Sequence, residues 1–287
     1  MMKQLKVLAA SALVAELDGS VLAEKNADQR VPIASVTKLI IIYQLYAAVE
    51  RHQLNWTDQL TTTKRIAEFT KGEVVAEIKL TEGETYTVKD ALDALLILSE
   101  NTFAFVFAEK LFKNLTNWHR KTIALLESWG INNPIIPNPA GLSNQDLETY
   151  KDPEMTDSYE PLFSAKEVLI ITEKIVDRFP EVLKIAQEWK FNFKSNRQEY
   201  PYLNRFKFLA ITKHKWIGLK TGTSPDTESF VGIVQSDQKQ FVTVYLAAKI
   251  DFLEPKGRNC YVESEKNVVF GTQIITDNFI FLLKNAL

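Results

Sequence analysis

The order of strand and helix patterns along the chain restricts its fold more than any other feature. Two apolar segments near the start, residues 7–15 and 21–24, flank an Asp18-Gly19 turn and predict a β-hairpin. Short runs of β-branched and aromatic residues return late in the chain, at residues 206–212, 216–219, 229–234 and 241–248. This order favours an α+β fold, in which one antiparallel sheet is built from both chain ends and flanked by helices.

Helical periodicity fills the middle of the chain. Apolar residues recur at helical spacing in residues 35–50, 63–70, 88–98, 102–112, 116–129, 164–172 and 180–189, and again in residues 267–285. Residues 132–142 carry three prolines and predict a loop. No Gly/Ser-rich linker divides the chain. We therefore predict a single domain over residues 1–287, with an α/β part at about 1–55 and 205–287 and an all-helical or mostly helical subdomain at about 56–204.

Composition excludes several classes of function. The 287 residues include 34 Lys plus Arg and 36 Asp plus Glu, a net charge of −2, so no basic field is available to hold a nucleic acid. The one cysteine, Cys260, allows neither an internal disulfide nor a cysteine-rich zinc site. No apolar run reaches the roughly eighteen residues of a transmembrane segment. We expect no metal, no cofactor, no nucleic-acid partner and no transmembrane segment.

Ser35 and Lys38 stand three residues apart at the start of the apolar helical pattern 35–50. That spacing places both side chains on one helix face, where the lysine can reach the hydroxyl. A serine becomes a nucleophile when a neighbour takes its proton, and a lysine can do this only if burial or nearby cations lower its pKa. The alternative is structural, with Ser35 capping the helix and Lys38 extending into solvent.

Ser99 and Asn101 fall where one predicted helix ends and the next begins. In a catalytic interpretation, the Ser99 hydroxyl shuttles a proton, and the Asn101 amide orients a substrate and the lysine. In the structural alternative, the tripeptide Ser99-Glu100-Asn101 is a helix cap and a turn.

A third motif, Lys220-Thr221-Gly222-Thr223, lies at the end of a short predicted strand. Lys220 can supply positive charge, and Gly222 lets a substrate lie close against the strand. The hydroxyls of Thr221 and Thr223 can bind a carboxylate. Taken alone, the tripeptide is typical of a surface turn.

In combination and in this order, the three motifs resemble the set shared by class A β-lactamases and penicillin-binding proteins. Further segments narrow the resemblance to the low-molecular-mass penicillin-binding proteins, which are serine D-alanyl-D-alanine carboxypeptidases. These segments are residues 22–40, Asn138-Pro139-Ala140-Gly141-Leu142, Ser164-Ala165-Lys166-Glu167 and Asn204-Arg205. The resemblance covers about residues 5–250 and implies a β-lactamase/transpeptidase-like fold.

The resemblance also implies a reaction. Ser35 attacks the penultimate carbonyl of a D-Ala-D-Ala peptide of peptidoglycan while Lys38 accepts its proton, and water later releases the acyl group. Backbone N–H groups of Ser35 and Thr223 form the oxyanion hole. β-Lactams acylate Ser35 because they resemble the substrate, and they act as inhibitors when the acyl group is lost slowly.

The same resemblance gives roles to the other motif residues. Ser99 and Lys220 relay a proton to the leaving D-alanine, and Asn101 orients the peptide. The implied substrate-binding residues are Thr221, Gly222, Thr223 and Arg205. For Arg205 the alternative is a solvated surface charge.

Two other functions stay open. A class A-like β-lactamase shares the acylation step but needs a fast deacylation base, and residues 128–147 contain no Glu, with Asp146 a conceivable substitute. A non-catalytic scaffold that binds muropeptides is the second alternative, and the presence of every motif side chain argues against it. A histidine-based hydrolase has less support, because His52, His119 and His214 lie in no motif.

Two stretches depart from the family pattern. Glu100 stands at a position where β-lactamases usually have Asp and where this family varies. Residues 143–161 are rich in Asp and Glu and do not align with the family, which predicts a variable loop near the cleft.

The expected location follows from the substrate. A protein that acts on peptidoglycan works outside the cytoplasm, secreted or associated with the cell wall. Residues 7–15 are predicted to be a strand rather than a secretion signal, so we expect that the export signal is not present in this chain. Little sequence follows residues 267–285, so we expect neither the β-rich C-terminal domain nor the membrane-binding tail common in the family.

Overall fold

Strands from residues 3–25 pair with strands from residues 215–249 in one sheet. The computed structural model describes residues 3–4, 7–72, 76–205, 215–236 and 239–249. The strands of these ranges are β1 (Lys3–Gln4), β2 (Ser11–Glu16), β3 (Val21–Lys25), β4 (Val31–Pro32), β5 (Gln59–Thr61), β6 (Thr85–Thr87), β7 (Leu162–Phe163), β8 (Lys190–Lys194), β9 (Glu199–Leu203), β10 (Lys215–Thr223), β11 (Thr227–Ser236) and β12 (Lys239–Lys249). Among the described residues the large sheet has six strands, in the order β1-β3-β2-β12-β11-β10.

The prediction of a sheet built from both chain ends is confirmed, since β2 pairs with β12. The predicted hairpin is confirmed as β2 and β3. Pairing is antiparallel along the sheet, as predicted, apart from the two-residue strand β1 at one edge, which runs parallel to β3. A strand of two residues has no periodic pattern, and the sequence therefore could not indicate its direction.

The predicted helices are also present. They are α1 (Lys38–Glu50), α2 (Lys64–Phe69), α3 (Val88–Asp93), α4 (Asn101–Phe112), α5 (Leu115–Ser128), α6 (Ala165–Arg178) and α7 (Val182–Ala186). The start of α6 is a capping box, in which the Ser164 hydroxyl accepts the Glu167 N–H and the Glu167 carboxylate accepts the Ser164 N–H. The segment Ser164-Ala165-Lys166-Glu167, which the sequence offered as a family resemblance, is therefore the start of a helix.

Helix α1 is buried from Lys38 to Ala48. Its one interior amide is paired with α5: Gln44 Oε1 accepts the Trp118 indole N–H at 3.1 Å, and Gln44 Nε2 donates to Thr122 Oγ1 at 2.9 Å. Since buried polar groups are tolerated when hydrogen-bonded, these contacts fix the rotation of α1. The first residue of the helix, Lys38, is therefore buried in the interior.

The sheet buries side chains on both faces. Along β2, Leu13 and Ala15 join the large core formed with the helices, whereas Ala12 and Val14 join a smaller cluster on the opposite face. This alternation follows the two-residue period of a strand. Helix α6 contacts β2, β12 and α1, so α1 lies one helix layer away from the sheet along this side.

The mostly helical middle also contains short strand pairs that the sequence analysis missed, β4 with β7, β5 with β6, and β8 with β9. In β8 the residues alternate between exposed and buried, with Phe191 and Phe193 facing inward. A period-two signal existed there, but it spans five residues and directly follows the helical pattern 180–189. The mutual pairing of these strands is a long-range contact that the pattern does not reveal.

Some predictions lie outside the described residues, namely the strand 206–212, the helix 267–285, His214 and Cys260. Within the ranges that the structure describes, no helix is both long enough and apolar enough to cross a bilayer.

Candidate active site

Ser35 lies in a tight turn just before α1. Residues Ala34–Thr37 form a turn of 3₁₀-helix, and Ala34 has a left-handed backbone with φ of +46°. The positions that cap this turn and α1 are Ile33 and Thr37, and neither makes a side-chain capping hydrogen bond. The helix-cap alternative for Ser35 is therefore wrong, and its half-buried side chain is free to face Lys38.

Lys38 is fully buried, so the alternative in which it extends into solvent is also wrong. Its Nζ atom is in hydrogen-bond contact with Ser35 Oγ, and it donates to Asn101 Oδ1 at 2.7 Å and to the Ala140 carbonyl oxygen at 2.8 Å. The amide and carbonyl oxygens can only accept, whereas the serine hydroxyl can also donate. A neutral amine has two N–H groups and one lone pair, so it matches these three partners with the lone pair directed at Ser35.

The environment favours that neutral form. Burial lowers the pKa of Lys38 to about 7 from its ordinary value of 10.5. The negative charge of Glu100 opposes this shift, and the positive charge of Arg205 adds to it. The condition that the sequence analysis set for a catalytic lysine, a pKa lowered by burial and nearby cations, is therefore met.

Ser99 ends a turn of π-helix, Ala94–Leu98, that follows α3. Its backbone is left-handed, with φ of +64°, a conformation that costs a residue other than glycine about 1–2 kcal/mol. The next residue, Glu100, caps α4 by accepting the Thr102 N–H. The predicted junction between two helices is thus confirmed, and the strained turn directs the Ser99 hydroxyl toward β10.

Lys220 meets that hydroxyl from the sheet. Its Nζ atom donates to Ser99 Oγ at 2.7 Å and to the Thr221 carbonyl oxygen at 2.8 Å, and its side chain is buried. Burial lowers the pKa of Lys220 well below its usual range, and the charges of Lys38 and Arg205 lower it further. The positive charge expected from this residue is therefore not permanent, which suits a group that takes up and returns a proton.

Gly222 lies where β10, the last strand in the sheet order, touches the serine turn. A side chain there would lie 2.5 Å from the Ile33 carbonyl oxygen and 3.3 Å from the Ser35 nitrogen, so β10 packs backbone to backbone against the serine turn. From the sequence, Gly222 was expected to let a substrate lie close against the strand. Its neighbours on the strand, Thr221 and Thr223, are half-buried and exposed, respectively, at the edge of the same turn.

The loop at residues 138–142 supplies the third partner of Lys38. Asn138 Oδ1 accepts the N–H groups of Ala140, Gly141 and Leu142 at 2.9–3.2 Å, and this network shapes the loop. Gly141 has φ of +86°, and a side chain there would overlap the Ala34 carbonyl oxygen. The sequence analysis noted this segment only as a family resemblance, because a carbonyl oxygen that binds Lys38 has no residue-type signature.

Arg205 lies beside the buried lysines and at the surface. Its N–H donates to the Ile97 carbonyl oxygen at 3.1 Å, and its guanidinium forms an ion pair with Glu77. The preceding Asn204 is buried and donates to the carbonyl oxygens of Ala186 and Glu188, both at 2.9 Å. The positive charge of the guanidinium lowers the pKa of both Lys38 and Lys220.

The predicted catalytic residues therefore come together from four segments of the chain. Ser35 and Lys38 come from the turn and α1, Ser99 and Asn101 from the junction before α4, and Lys220 from β10. Within the ranges described here, no group of three His, Cys, Asp or Glu side chains is arranged to hold a metal ion.

Comparison with known proteins gives a consistent result. The sequence profile of the D-alanyl-D-alanine carboxypeptidase family matches residues 1–250. The D-alanyl-D-alanine carboxypeptidase DacF of Bacillus subtilis is 26% identical over 271 residues, which cover 91% of this chain and 62% of that protein. The corresponding enzyme DacC of Escherichia coli is 24% identical, covering 88% of this chain and 58% of its own. The chain thus spans about three fifths of the length of these relatives.

Solved structures agree on the fold. A peptidoglycan synthesis regulatory factor, PBP3, from Streptococcus pneumoniae superimposes with a TM-score of 0.80 at 26% identity, covering 94% of this chain and 73% of that one. Penicillin-binding protein D2 from Listeria monocytogenes, in its ampicillin-bound form, has a TM-score of 0.72 at 20% identity, covering 96% and 98%. The expected β-lactamase/transpeptidase-like fold is confirmed by these likenesses.

The packing of the 138–142 loop against the serine turn generates a testable prediction. Gly141→Ala must place a methyl group against the Ala34 carbonyl oxygen, whereas Gly130→Ala, at the similar φ of +85°, meets no atom within 4 Å. We expect Gly130→Ala to lower the free energy of unfolding by about 1–2 kcal/mol, from backbone strain alone. Gly141→Ala should cost about 1–3 kcal/mol more, from overpacking, and should slow acylation of Ser35. Urea denaturation of both variants measures the difference, and equal losses would contradict the packing described here.

Proposed function

The chain belongs to the D-alanyl-D-alanine carboxypeptidase family, and we propose that it removes the terminal D-alanine from peptidoglycan peptides that end in D-Ala-D-Ala, through an acyl-enzyme on Ser35. One observation carries the proposal. The buried Nζ atom of Lys38 contacts Ser35 Oγ while its other partners are an amide and a carbonyl oxygen that can only accept. This arrangement supports a lysine base that faces one nucleophile.

In the first step, the Ser35 hydroxyl gives its proton to the neutral amine of Lys38. Its oxygen attacks the carbonyl carbon of the penultimate D-alanine, which forms a tetrahedral oxyanion. The N–H groups of Ser35 and Thr223 stabilise this oxyanion, and such donors typically contribute several kcal/mol. The close packing of Gly222 against Ser35 N supports that placement, because it brings the end of β10 beside the serine turn.

In the second step, the bond to the leaving D-alanine breaks, and its nitrogen needs a proton. Lys220 and Ser99 relay to it the proton that Lys38 took from Ser35, and the hydrogen bond of 2.7 Å between Lys220 and Ser99 supports this path. Asn101 orients both the peptide and Lys38. The hydroxyls of Thr221 and Thr223, with Arg205, hold the terminal carboxylate of the substrate.

Hydrolysis completes the cycle. Water gives a proton to the neutral amine of Lys38 as its oxygen attacks the ester carbonyl, the bond to Ser35 Oγ breaks, that oxygen takes the proton from Lys38, and the peptide leaves one D-alanine shorter. β-Lactams are cyclic amides that carry a carboxylate, so the same serine attacks them. Because the amine released by ring opening stays attached to the acyl group and remains in the cleft, we expect a long-lived adduct and inhibition.

The β-lactamase alternative has less support. It requires an acid that activates water beside the acyl group. Asp146, the candidate from the sequence, accepts the hydroxyl hydrogen of Ser143 at 2.5 Å within its own loop. The partners of Lys38 Nζ in the described residues are a hydroxyl, an amide and a carbonyl oxygen, and none is a carboxylate. The non-catalytic scaffold is disfavoured because the catalytic side chains contact one another. Lys38 contacts Ser35 and Asn101, and Lys220 contacts Ser99.

The proposed substrate determines the expected partners of the protein and its expected location. Peptidoglycan peptide stems are the expected partners, and β-lactams the expected inhibitors. The protein would act outside the cytoplasm, secreted or associated with the cell wall, where that polymer lies.

Release of D-alanine from a short peptide ending in D-Ala-D-Ala tests the activity directly. We expect the wild-type protein to release one D-alanine per peptide and to leave the matching L-Ala-L-Ala peptide intact. Ser35→Ala should lower kcat/KM by at least about 10³-fold, because no other group can form the acyl-enzyme. Ser128→Ala, at an exposed position in α5, is the matched control and should keep full activity. No release by the folded wild type, or full release by Ser35→Ala, would contradict the proposal.

The pKa of Lys38 predicts a pH dependence. The base is the neutral amine, which prevails above a pKa of about 7. The second-order rate constant for acylation by a penicillin should therefore rise about tenfold per pH unit below pH 7 and level off above it. Lys38→Arg keeps a positive charge that cannot be removed, and it should lose about 10²–10⁴-fold of the rate. A rate independent of pH between 5 and 9 would argue against Lys38 as the base.

A further inference from the structure

Glu100 is a buried carboxylate that the proposed reaction does not use. Its side chain is 3% exposed, and both oxygens are engaged. Oε1 accepts the Thr102 N–H at 3.2 Å and the Thr102 hydroxyl at 3.0 Å. Oε2 accepts the N–H groups of Glu77 at 2.9 Å and Ile78 at 3.1 Å. One carboxylate thus ties the segment at 77–78 to the junction that carries Ser99 and Asn101.

That tie fixes the backbone of Glu77 near the rim of the site. The carboxylate of Glu77 forms an ion pair with the guanidinium of Arg205, and we call this pair the rim ion pair. The backbone of Arg205 is fixed separately, since its N–H donates to the Ile97 carbonyl oxygen two residues before Ser99. Both ends of the rim ion pair are therefore anchored to the same helix junction.

The rim ion pair is half-exposed, with side-chain exposures of 41% for Arg205 and 46% for Glu77. A long side chain at such a position has many rotamers, and ordering it costs free energy. An ion pair to a fixed carboxylate selects one orientation.

We propose that Glu77 is a positioning residue for Arg205, and that Glu100 holds Glu77 in place, so that the guanidinium keeps the orientation in which it meets the free carboxylate of the substrate. This inference rests on the proposed function. A guanidinium has five N–H donors in a rigid fork, so it can bind one carboxylate and still donate to another. Glu77 then determines specificity for peptides with a free terminal carboxylate without touching the reacting atoms.

The kinetics of Glu77→Gln test the proposal. The amide keeps the shape of the side chain but removes its charge, so Arg205 loses its fixed orientation. We expect KM for the D-Ala-D-Ala peptide to rise about threefold to tenfold, the range for losing one partly exposed ion pair that orders a binding group, while kcat stays within about twofold. Glu82→Gln changes an exposed glutamate five residues further along and is the matched control. Glu77→Asp keeps the charge and should recover part of the loss.

A double-mutant cycle separates positioning from a general structural effect. In the Arg205→Gln background, Glu77→Gln should add no further increase in KM, because its action passes through the arginine. Glu100→Gln should raise KM in the same direction, since its amide offers one acceptor oxygen in place of two and cannot accept both from residues 77–78 and from Thr102. Melting temperatures of all variants verify that the comparison is made on folded protein.

The possible results distinguish failure of the rim ion pair from failure of the proposed function. A KM that rises with Glu77→Gln and does not rise further in the Arg205→Gln background supports the rim ion pair. An unchanged KM, or effects that add, would overturn it. A lower KM would mean that Glu77 competes with the substrate carboxylate, which also overturns it. A wild-type protein that releases no D-alanine would overturn the proposed function itself, and this role of Arg205 with it.

Discussion

The burial of the Lys38 side chain is the constraint on which the rest of the site depends. An amine removed from water needs a hydrogen-bond partner in every direction, and here three oxygens from three segments of the chain supply them. One belongs to the serine turn, one to α4 and one to the 138–142 loop. A second buried lysine, Lys220, lies close enough for the charge of Lys38 to lower its pKa. The burial that makes these three hydrogen-bond partners necessary also lowers the pKa of Lys38 to about 7, so that its amine is a base near neutral pH.

Close approach of backbone to backbone holds the serine turn in place. The 138–142 loop and β10 pack against the turn at residues 33–35, and each does so at a glycine. At Gly141 a side chain would overlap the Ala34 carbonyl oxygen, and at Gly222 it would meet the Ile33 carbonyl oxygen at 2.5 Å. These contacts explain both glycines without a substrate. They also place Ser35 N beside the end of β10, where the proposed oxyanion hole lies.

Much of this arrangement was predictable from the sequence because it depends on local patterns. Apolar periodicity predicts the buried α1, and the lysine at its start was therefore a candidate for burial. Ser99 and Asn101 could be placed at a helix junction because periodicity stops and restarts there. The contacts of Ala140 with Lys38, and of Glu100 with the backbone of Glu77, were not predictable, since they join distant segments through carbonyl and N–H groups that every residue has. The β8–β9 hairpin was missed because its alternating pattern is only five residues long in β8.

Intact-mass measurement after reaction with a fluorescent penicillin tests most directly whether the buried lysine makes Ser35 a nucleophile. Wild type and Ser35→Ala would be followed over hours, and the labelled peptide located by digestion. The account predicts one adduct per chain, attached to the peptide that contains Ser35, persistent in the wild type and absent from the variant. Folded wild-type protein that gains no adduct and consumes no penicillin would contradict it. Rapid consumption without an accumulated adduct would instead identify a β-lactamase and contradict the carboxypeptidase assignment.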